Sequence, residues 1–221
     1  MKNVFIHGWS FSSQIWKDFF GIKDSIFLDL PFHGENKNYV EKDIINHFVN
    51  DLIKRLDSDE KINLIGWSLG ASISFLTALQ LQEKINKLIL IGFSPKFKDK
   101  NLGHNPVAIK AFMVALRTAF EPTIYTFRKN AAGDPFKEIP LPQKNGSILL
   151  LKEFIELNLT DKLIELRTKT ILIHGKEDII INPEAAVFTA NRLKKSELFL
   201  IDGNHAPFLK NKNLIKKIIE E

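Results

Sequence analysis

The sequence predicts an α/β fold: a mostly parallel central sheet flanked by helices, with a helical insertion ahead of the last two strands. Three observations predict it. Short apolar runs alternate with helical patterns along the chain, as a parallel sheet with crossover helices requires. Those runs are rich in Ile, Leu, Val and Phe and mostly apolar on both faces, which marks strands covered on each side. The alternation breaks once, between Lys96 and Leu166, where helical spacing replaces strand signals.

Taken in order, the run Asn3–Ile6 is followed by a helical stretch over Gln14–Phe20 and a second run at Ser25–Leu30. Helical spacing over Glu41–Leu56 leads to Ile62–Ile65, and Leu69–Gln82 leads to Lys87–Gly92. Beyond the break come Thr170–Ile173, a helix over Pro183–Leu193, the run Glu197–Ile201 and a last helix near Asn213–Glu220. Within the break, Ile109, Phe112, Met113, Leu116 and Phe120 fall at helical spacing, and Pro122 stops the pattern. A second helix, with Ser147 as its cap, runs through Leu150, Phe154, Ile155 and Leu157. Residues 1–95 and 167–221 are therefore expected to form the core, and residues 96–166 a helical lid over the strand ends.

A chain of 221 residues fits one domain carrying a small inserted subdomain. Its 44% apolar content, with 18 Phe, can bury a full core without disulfides or metal. The absence of Cys fits a reducing compartment. The first residues show no signal-peptide pattern, and no run approaches the roughly 18 apolar residues of a membrane span. A cytoplasmic protein is expected, without a membrane partner. The net charge of +5 is concentrated: eight cations and three anions lie between Pro95 and Lys137, so this segment carries the whole excess. A solvated helical face accounts for that, and so does an acidic macromolecular partner.

Chemistry enters at Gly66-Trp67-Ser68-Leu69-Gly70, placed after a predicted strand and before a predicted helix. A G-x-S-x-G string in that setting is the turn that exposes a serine nucleophile, and small residues flank it because backbone packs closely there. A serine hydroxyl needs a base to take its proton. Of six histidines, His205 lies just after the last strand, on the same sheet edge as Ser68; His47 is mid-helix and His33 sits in a turn. Asp178, in the loop after the fifth strand, is the expected acid, with Glu177 its local competitor and Asp202 too close in sequence to His205. The order Ser68, Asp178, His205 is the one this type of fold uses. The donors for a developing oxyanion are expected to be the backbone N–H groups of Leu69 and Trp9. His7 is expected to brace the loop rather than to catalyse.

The strings His7-Gly8-Trp9-Ser10, Ile15-Trp16, Asp29-Leu30-Pro31-Phe32-His33-Gly34, Gly66-Trp67-Ser68-Leu69-Gly70 and His205-Ala206-Pro207-Phe208 resemble the biotin-pathway esterase branch of the α/β-hydrolase superfamily. That resemblance spans nearly the whole chain. It implies hydrolysis of the methyl ester of pimeloyl-[acyl-carrier protein] through an acyl-enzyme on Ser68. It further implies that Trp9, Trp67, Phe112 and Phe120 line an acyl channel. The basic lid would dock an acidic acyl-carrier protein, with Arg117, Arg128 and Lys129 as contacts. Relative to larger superfamily members, the strand before His7 is expected to come first, which trims one sheet edge. The lid also differs in detail from the family's.

Two alternatives keep the same triad: a general short-chain carboxylesterase and a lyase of menaquinone biosynthesis, which acts on a dianion and would need cations inside its pocket. A third, of another class, is a hydrolase fold reused as a ligand receptor. A dehalogenase would need Asp at position 68. No phosphate loop, G-x-G-x-x-G string or metal-spaced His pair occurs, so no cofactor and no metal are expected. No nucleic-acid-binding motif accompanies the basic charge. A monomer is expected.

Overall fold

In the computed structural model, which describes residues 2–56 and 60–221, the apolar runs become six strands. They are β1 (Lys2–Ile6), β2 (Ser25–Leu28), β3 (Ile62–Trp67), β4 (Ile85–Ile91), β5 (Thr170–Gly175) and β6 (Ser196–Ile201). All pairs are parallel, in the order β2-β1-β3-β4-β5-β6. The chain steps outward from β1 to β2, then returns past β1 to β3 and continues the other way. Loops at the carboxyl ends of β1 and β3 therefore diverge, and ligand crevices open at such a switch point. β3 and β5 are buried along their whole length, whereas the edge strand β6 alternates half-buried and exposed positions.

The helices on the sheet are α1 (Ile44–Leu56), α2 (Leu69–Gln80), α6 (Glu184–Ala190) and α7 (Lys212–Glu220). α2 is apolar nearly all round and is buried from Leu69 to Phe75, as a helix at the centre of a core must be. α7 turns Ile215, Ile218 and Ile219 inward and its lysines outward. The stretch expected to be helical near Gln14–Phe20 is a 3-10 turn over Ser13–Phe19, and α6 is shorter than its pattern suggests. Among the described residues no helix is long and apolar enough to cross a membrane.

Between β4 and β5 the chain forms three helices, not two: α3 (Pro106–Thr118), α4 (Phe120–Ala132) and α5 (Lys144–Glu156). Pro122 does not end a helix. It stands in the first turn of α4, where a missing N–H costs nothing. The break falls at Ala119, whose backbone leaves the helical region at φ −139° and ψ 64°. Ser147 is not a cap either; its hydroxyl donates back to the Lys144 carbonyl at 3.2 Å inside the first turn of α5. α3 starts as local rules require, with the Asn105 side chain accepting from the Val107 N–H at 2.8 Å and Pro106 following. α4 closes on Gly133 at φ 85°.

α1 begins at Ile44, three residues later than its pattern, because its amino end is capped from far away. The Glu153 carboxylate of α5 accepts from the Ile44 and Ile45 N–H groups at 2.9 Å each. Two groups that a helix start leaves without partners are thereby satisfied by the insertion. Glu153→Ala should lower stability by about 1–2 kcal/mol, the usual cost of a lost cap. A urea midpoint indistinguishable from wild type would show that solvent replaces the carboxylate at no cost.

Candidate active site

Ser68 follows β3 directly and precedes α2, with φ 56° and ψ −119°. A non-glycine residue rests there only when its surroundings over-determine it. The Ser68 N–H donates to the Ile91 carbonyl at 2.9 Å, and its own carbonyl accepts from Ala71 and Ser72 at 2.9 and 3.2 Å. The flanking glycines answer to crowding. A Cβ on Gly66 would strike the Gly70 carbonyl and Ser74, and one on Gly70 would strike the carbonyls of Ile6 and His7. β1, β3 and α2 therefore meet backbone against backbone, with the Ser68 side chain at the junction and the start of α2 beneath it.

His205 leaves the loop after β6 and is buried. Its Nδ1 lies 2.7 Å from Asp178 Oδ2, at the end of β5, while its Nε2 has no hydrogen-bond partner among the described residues. An ionised carboxylate only accepts, so Nδ1 carries the proton and Nε2 presents a lone pair when the ring is neutral. Trp67 supports the same residue: its indole N–H donates to the His205 carbonyl at 2.7 Å. Glu177 and Asp202 are occupied elsewhere. Glu177 accepts from the Gly203 N–H at 2.5 Å, and Asp202 pairs with Lys176 on the surface at 2.9 Å.

Asp178 has a second imidazole that the sequence reading passed over. His174 Nε2 lies 3.0 Å from the same Oδ2, and Oδ1 accepts from the Ile180 and Ile181 N–H groups at 2.8 and 2.9 Å. Burial alone would raise the Asp178 pKa. The charge of His205 and the hydrogen bonds from His174 and His205 outweigh it and hold the carboxyl well below the usual range. The signal available in the sequence was the four-residue spacing of His174 and Asp178 across the end of a strand.

The loop after β1 is braced by two neutral histidines. His7 accepts from the Leu30 N–H at 3.0 Å through Nε2, leaving Nδ1 to donate to the Gly8 carbonyl at 2.8 Å. His33 accepts from the Ser10 N–H at 3.0 Å through Nε2 and donates to the Pro31 carbonyl at 2.8 Å. Burial pushes His33 down to about 3, so it stays neutral. Asp29 fastens this segment, accepting from the Ser13 and Glu35 N–H groups at 2.6 and 2.9 Å. The Trp9 backbone N–H enters no hydrogen bond among the described residues, although its indole N–H donates to the Ser147 carbonyl at 2.8 Å. Leu69, first in α2, has a backbone N–H that the helix cannot satisfy.

A cavity of about 490 Å³ lies between this region and the inserted helices. Trp9, Ile179 and Ile180 wall it on the core side, and Phe112, Phe127 and Phe154 are among its walls from the insertion. It is mostly apolar, with His104, Thr123, Thr126 and Asn130 as its polar lining, and no lysine or arginine lines it among the described residues. Ser68 and His205 do not line it either; the cavity ends at Trp9 and at the residues following Asp178. Of the aromatics expected to line a channel, Trp9 and Phe112 do. Trp67 does not, because its ring is fully buried against Phe11, Phe208 and His205. Phe120 does not, because it packs half-buried against the core at the α3–α4 break. Phe127 takes its place, on the helix hidden behind Pro122.

Arg117 and Lys129 are exposed, as a docking role requires. Arg128 is not. It is fully buried and spends its guanidinium on backbone carbonyls of this same chain, so it cannot meet a carrier protein.

Residues 4–115 match the family model described as alpha/beta hydrolase fold. A pimeloyl-[acyl-carrier protein] methyl ester esterase of Nitrosospira multiformis is 28% identical, covering 93% of this chain and 88% of its own. The protein of the same name from Wigglesworthia glossinidia brevipalpis is also 28% identical, over 98% of this chain and 91% of its own. Among solved structures, an esterase from Exiguobacterium antarcticum superposes with a TM-score of 0.85 at 18% identity, over 99% of this chain and 90% of its own. An enol-lactonase from Burkholderia xenovorans gives 0.84 at 12%, over 99% and 89%. At such identities these two structures speak to fold alone.

The chain belongs to the α/β-hydrolase fold family. Within it, the chain is a carboxylic ester hydrolase, the class of its esterase-named relatives.

Asp178 also sets an acid limit on stability. Its folded carboxyl titrates below the unfolded value of about 3.9. As pH falls, the unfolded chain takes up this proton first, so the stabilisation is complete above about pH 5 and is lost below it. The stability gap between wild type and Asp178→Asn should therefore be widest near neutrality and narrow toward pH 3. A gap that urea titrations find constant across that range would remove Asp178 from the acid response.

Proposed function

We propose that this chain is a serine carboxylesterase acting on the methyl ester of pimeloyl-[acyl-carrier protein], as a monomer in the cytoplasm. The observation that carries the chemistry is the His205–Asp178 bond of 2.7 Å with His205 Nε2 left unpartnered, on the sheet edge where Ser68 occupies its strained turn. His205 Nε2 takes the Ser68 proton as Oγ attacks the ester carbonyl. The oxyanion is received by the N–H groups of Trp9 and Leu69, with the amino end of α2 behind them. The intermediate collapses with departure of methanol, which takes the proton from His205. Water then attacks the acyl-enzyme by the same route, releasing the free acid and restoring Ser68.

The substrate half rests on the relatives' names and on two features of the insertion. Its cavity is mostly apolar, suited to a methylene chain whose ester end passes Trp9 toward Ser68. Arg117 and Lys129 leave positive charge on the outer surface of α3 and α4, where an acidic carrier would sit. A lyase acting on a dianion is disfavoured, because among the described residues no lysine or arginine lines the cavity to receive one.

Hydrolysis of carrier-bound pimeloyl methyl ester, compared with p-nitrophenyl butyrate, tests both halves. Ser68→Ala should abolish turnover of either ester, leaving at most a residual about 10³-fold above water. Arg117→Glu with Lys129→Glu should cut kcat/KM for the carrier-bound ester about tenfold, less so as salt rises, and leave the small ester untouched. Equal preference for both esters would reduce the protein to a general carboxylesterase. Activity surviving in Ser68→Ala would sink the mechanism.

A further inference from the structure

Arg128 is the largest polar side chain buried without an acidic partner among the described residues. It projects from α4 of the insertion, yet all its donors are spent on main-chain carbonyls. Nη1 donates to Phe136 and Ile139 at 2.8 Å each, and Nη2 to Pro140 at 2.9 Å. Nε donates to Ser10 at 3.0 Å, and Nη2 makes a second, short bond to that same oxygen. Its guanidinium carbon lies 5.4 Å from the ring centre of Phe11. A planar fork that fills several carbonyls at once is a geometry only arginine supplies. Burial lowers it only to about 10, so it remains a cation at neutral pH.

What it grips decides what it does. The peptide planes around Trp9 are held one by one. The Gly8 carbonyl accepts from His7, the Ser10 N–H donates to His33, and the Ser10 carbonyl accepts from Arg128. The first two restraints come from the core; the third comes from the insertion and adds to a longer core bond on the same peptide, from the Phe11 N–H to the Gly8 carbonyl at 3.3 Å. Ser10 itself stands at φ 73°, a conformation a serine abandons unless both its neighbouring peptides are pinned. Freed on one side, it would relax toward negative φ and rotate the planes that aim the Trp9 N–H. α4 also reaches the other half of the site, since the Ala131 carbonyl accepts from the Ala206 N–H at 3.0 Å, next to His205.

We propose that Arg128 is a positioning residue for the oxyanion-binding loop. Seating of α4 on Ser10 sets the aim of the Trp9 N–H, and the insertion is therefore required for turnover of every ester, including those with no carrier. The inference rests on the proposed ester hydrolysis and on Trp9 as an oxyanion donor.

The test is steady-state hydrolysis of p-nitrophenyl butyrate by wild type, Arg128→Lys, Arg128→Met, the double variant Arg128→Lys/Ser10→Gly, and Ser68→Ala, with thermal unfolding of each. Arg128→Lys should lose at least tenfold in kcat and Arg128→Met about 10²–10³-fold, the range for a lost oxyanion donor, with KM changed by less than about threefold. Glycine adopts positive φ freely, so the double variant should regain part of the kcat lost by Arg128→Lys. That rescue would not follow if Arg128 merely filled space, and it can be read even where Arg128→Met fails to fold. Wild-type kcat in a folded Arg128→Lys, or a loss that Ser10→Gly does not relieve, would overturn the inference. Activity remaining in Ser68→Ala would instead overturn the esterase reading beneath it.

Discussion

The backbone at Ser68 holds a conformation that an isolated chain would leave at once, and much of the molecule is arranged so that it cannot. β3 must run straight into α2 without a loop, which forces the turn. β1 must pass so close that Gly70 meets the carbonyls of Ile6 and His7. β4 must sit in register for Ile91 to receive the Ser68 N–H. Each requirement fixes a neighbour, so the parallel order β2-β1-β3-β4 and the small residues at 66 and 70 serve one local strain. The strain in turn leaves the Ser68 side chain at the junction of β1, β3 and α2.

Around that point the polar groups are satisfied by short, mostly main-chain bonds rather than by ion pairs. His7 and His33 act as neutral struts of fixed tautomer, each bonding through both ring nitrogens. Asp178 collects four donors, two of them imidazoles. Arg128 finds carbonyls where an acid would be expected. Such networks are costly when half satisfied and rigid when complete. His205 Nε2, the nitrogen that the proposed chemistry needs, is one of the buried groups left without a partner among the described residues, together with His174 Nδ1 and the Ser10 hydroxyl.

The sheet was legible because its central strands are covered on both faces and so announce themselves as apolar runs, and the edge strands β2 and β6 still carry mostly apolar residues. Every strand lies within two residues of its expected position. The turn at Ser68 was legible because its demands are local, met by residues two positions away. What escaped was set by contacts distant in sequence. The start of α1 depends on Glu153, more than a hundred residues on. α4 was hidden by a proline read as a stop, although a first-turn proline is harmless, and by a polar face of Thr123, Thr126 and Asn130. Arg128 sits among exposed cations in sequence and reads as one of them; its burial follows from carbonyls that loops bring together only in the folded state. Trp67 reads as a channel wall for the same reason, since nothing local says which way an indole faces.

The three inserted helices are unequally tethered. α5 is fastened to the core by the Glu153 carboxylate and α4 by a buried guanidinium. α3 itself is held chiefly by apolar contact through Ile109 and Leu116 and, at its carboxyl end, by an exposed bond from Lys144 to the Arg117 carbonyl at 3.1 Å, while the residues before it are fixed by His104 on the Ile180 carbonyl at 3.0 Å. Widening the cavity at α4 breaks buried polar bonds and at α5 half-buried ones, whereas at α3 it costs mainly contact area. The compliance of the entrance is thus concentrated in one helix. Flexing α3 would widen the cavity while α4 and α5 stay fastened to the core.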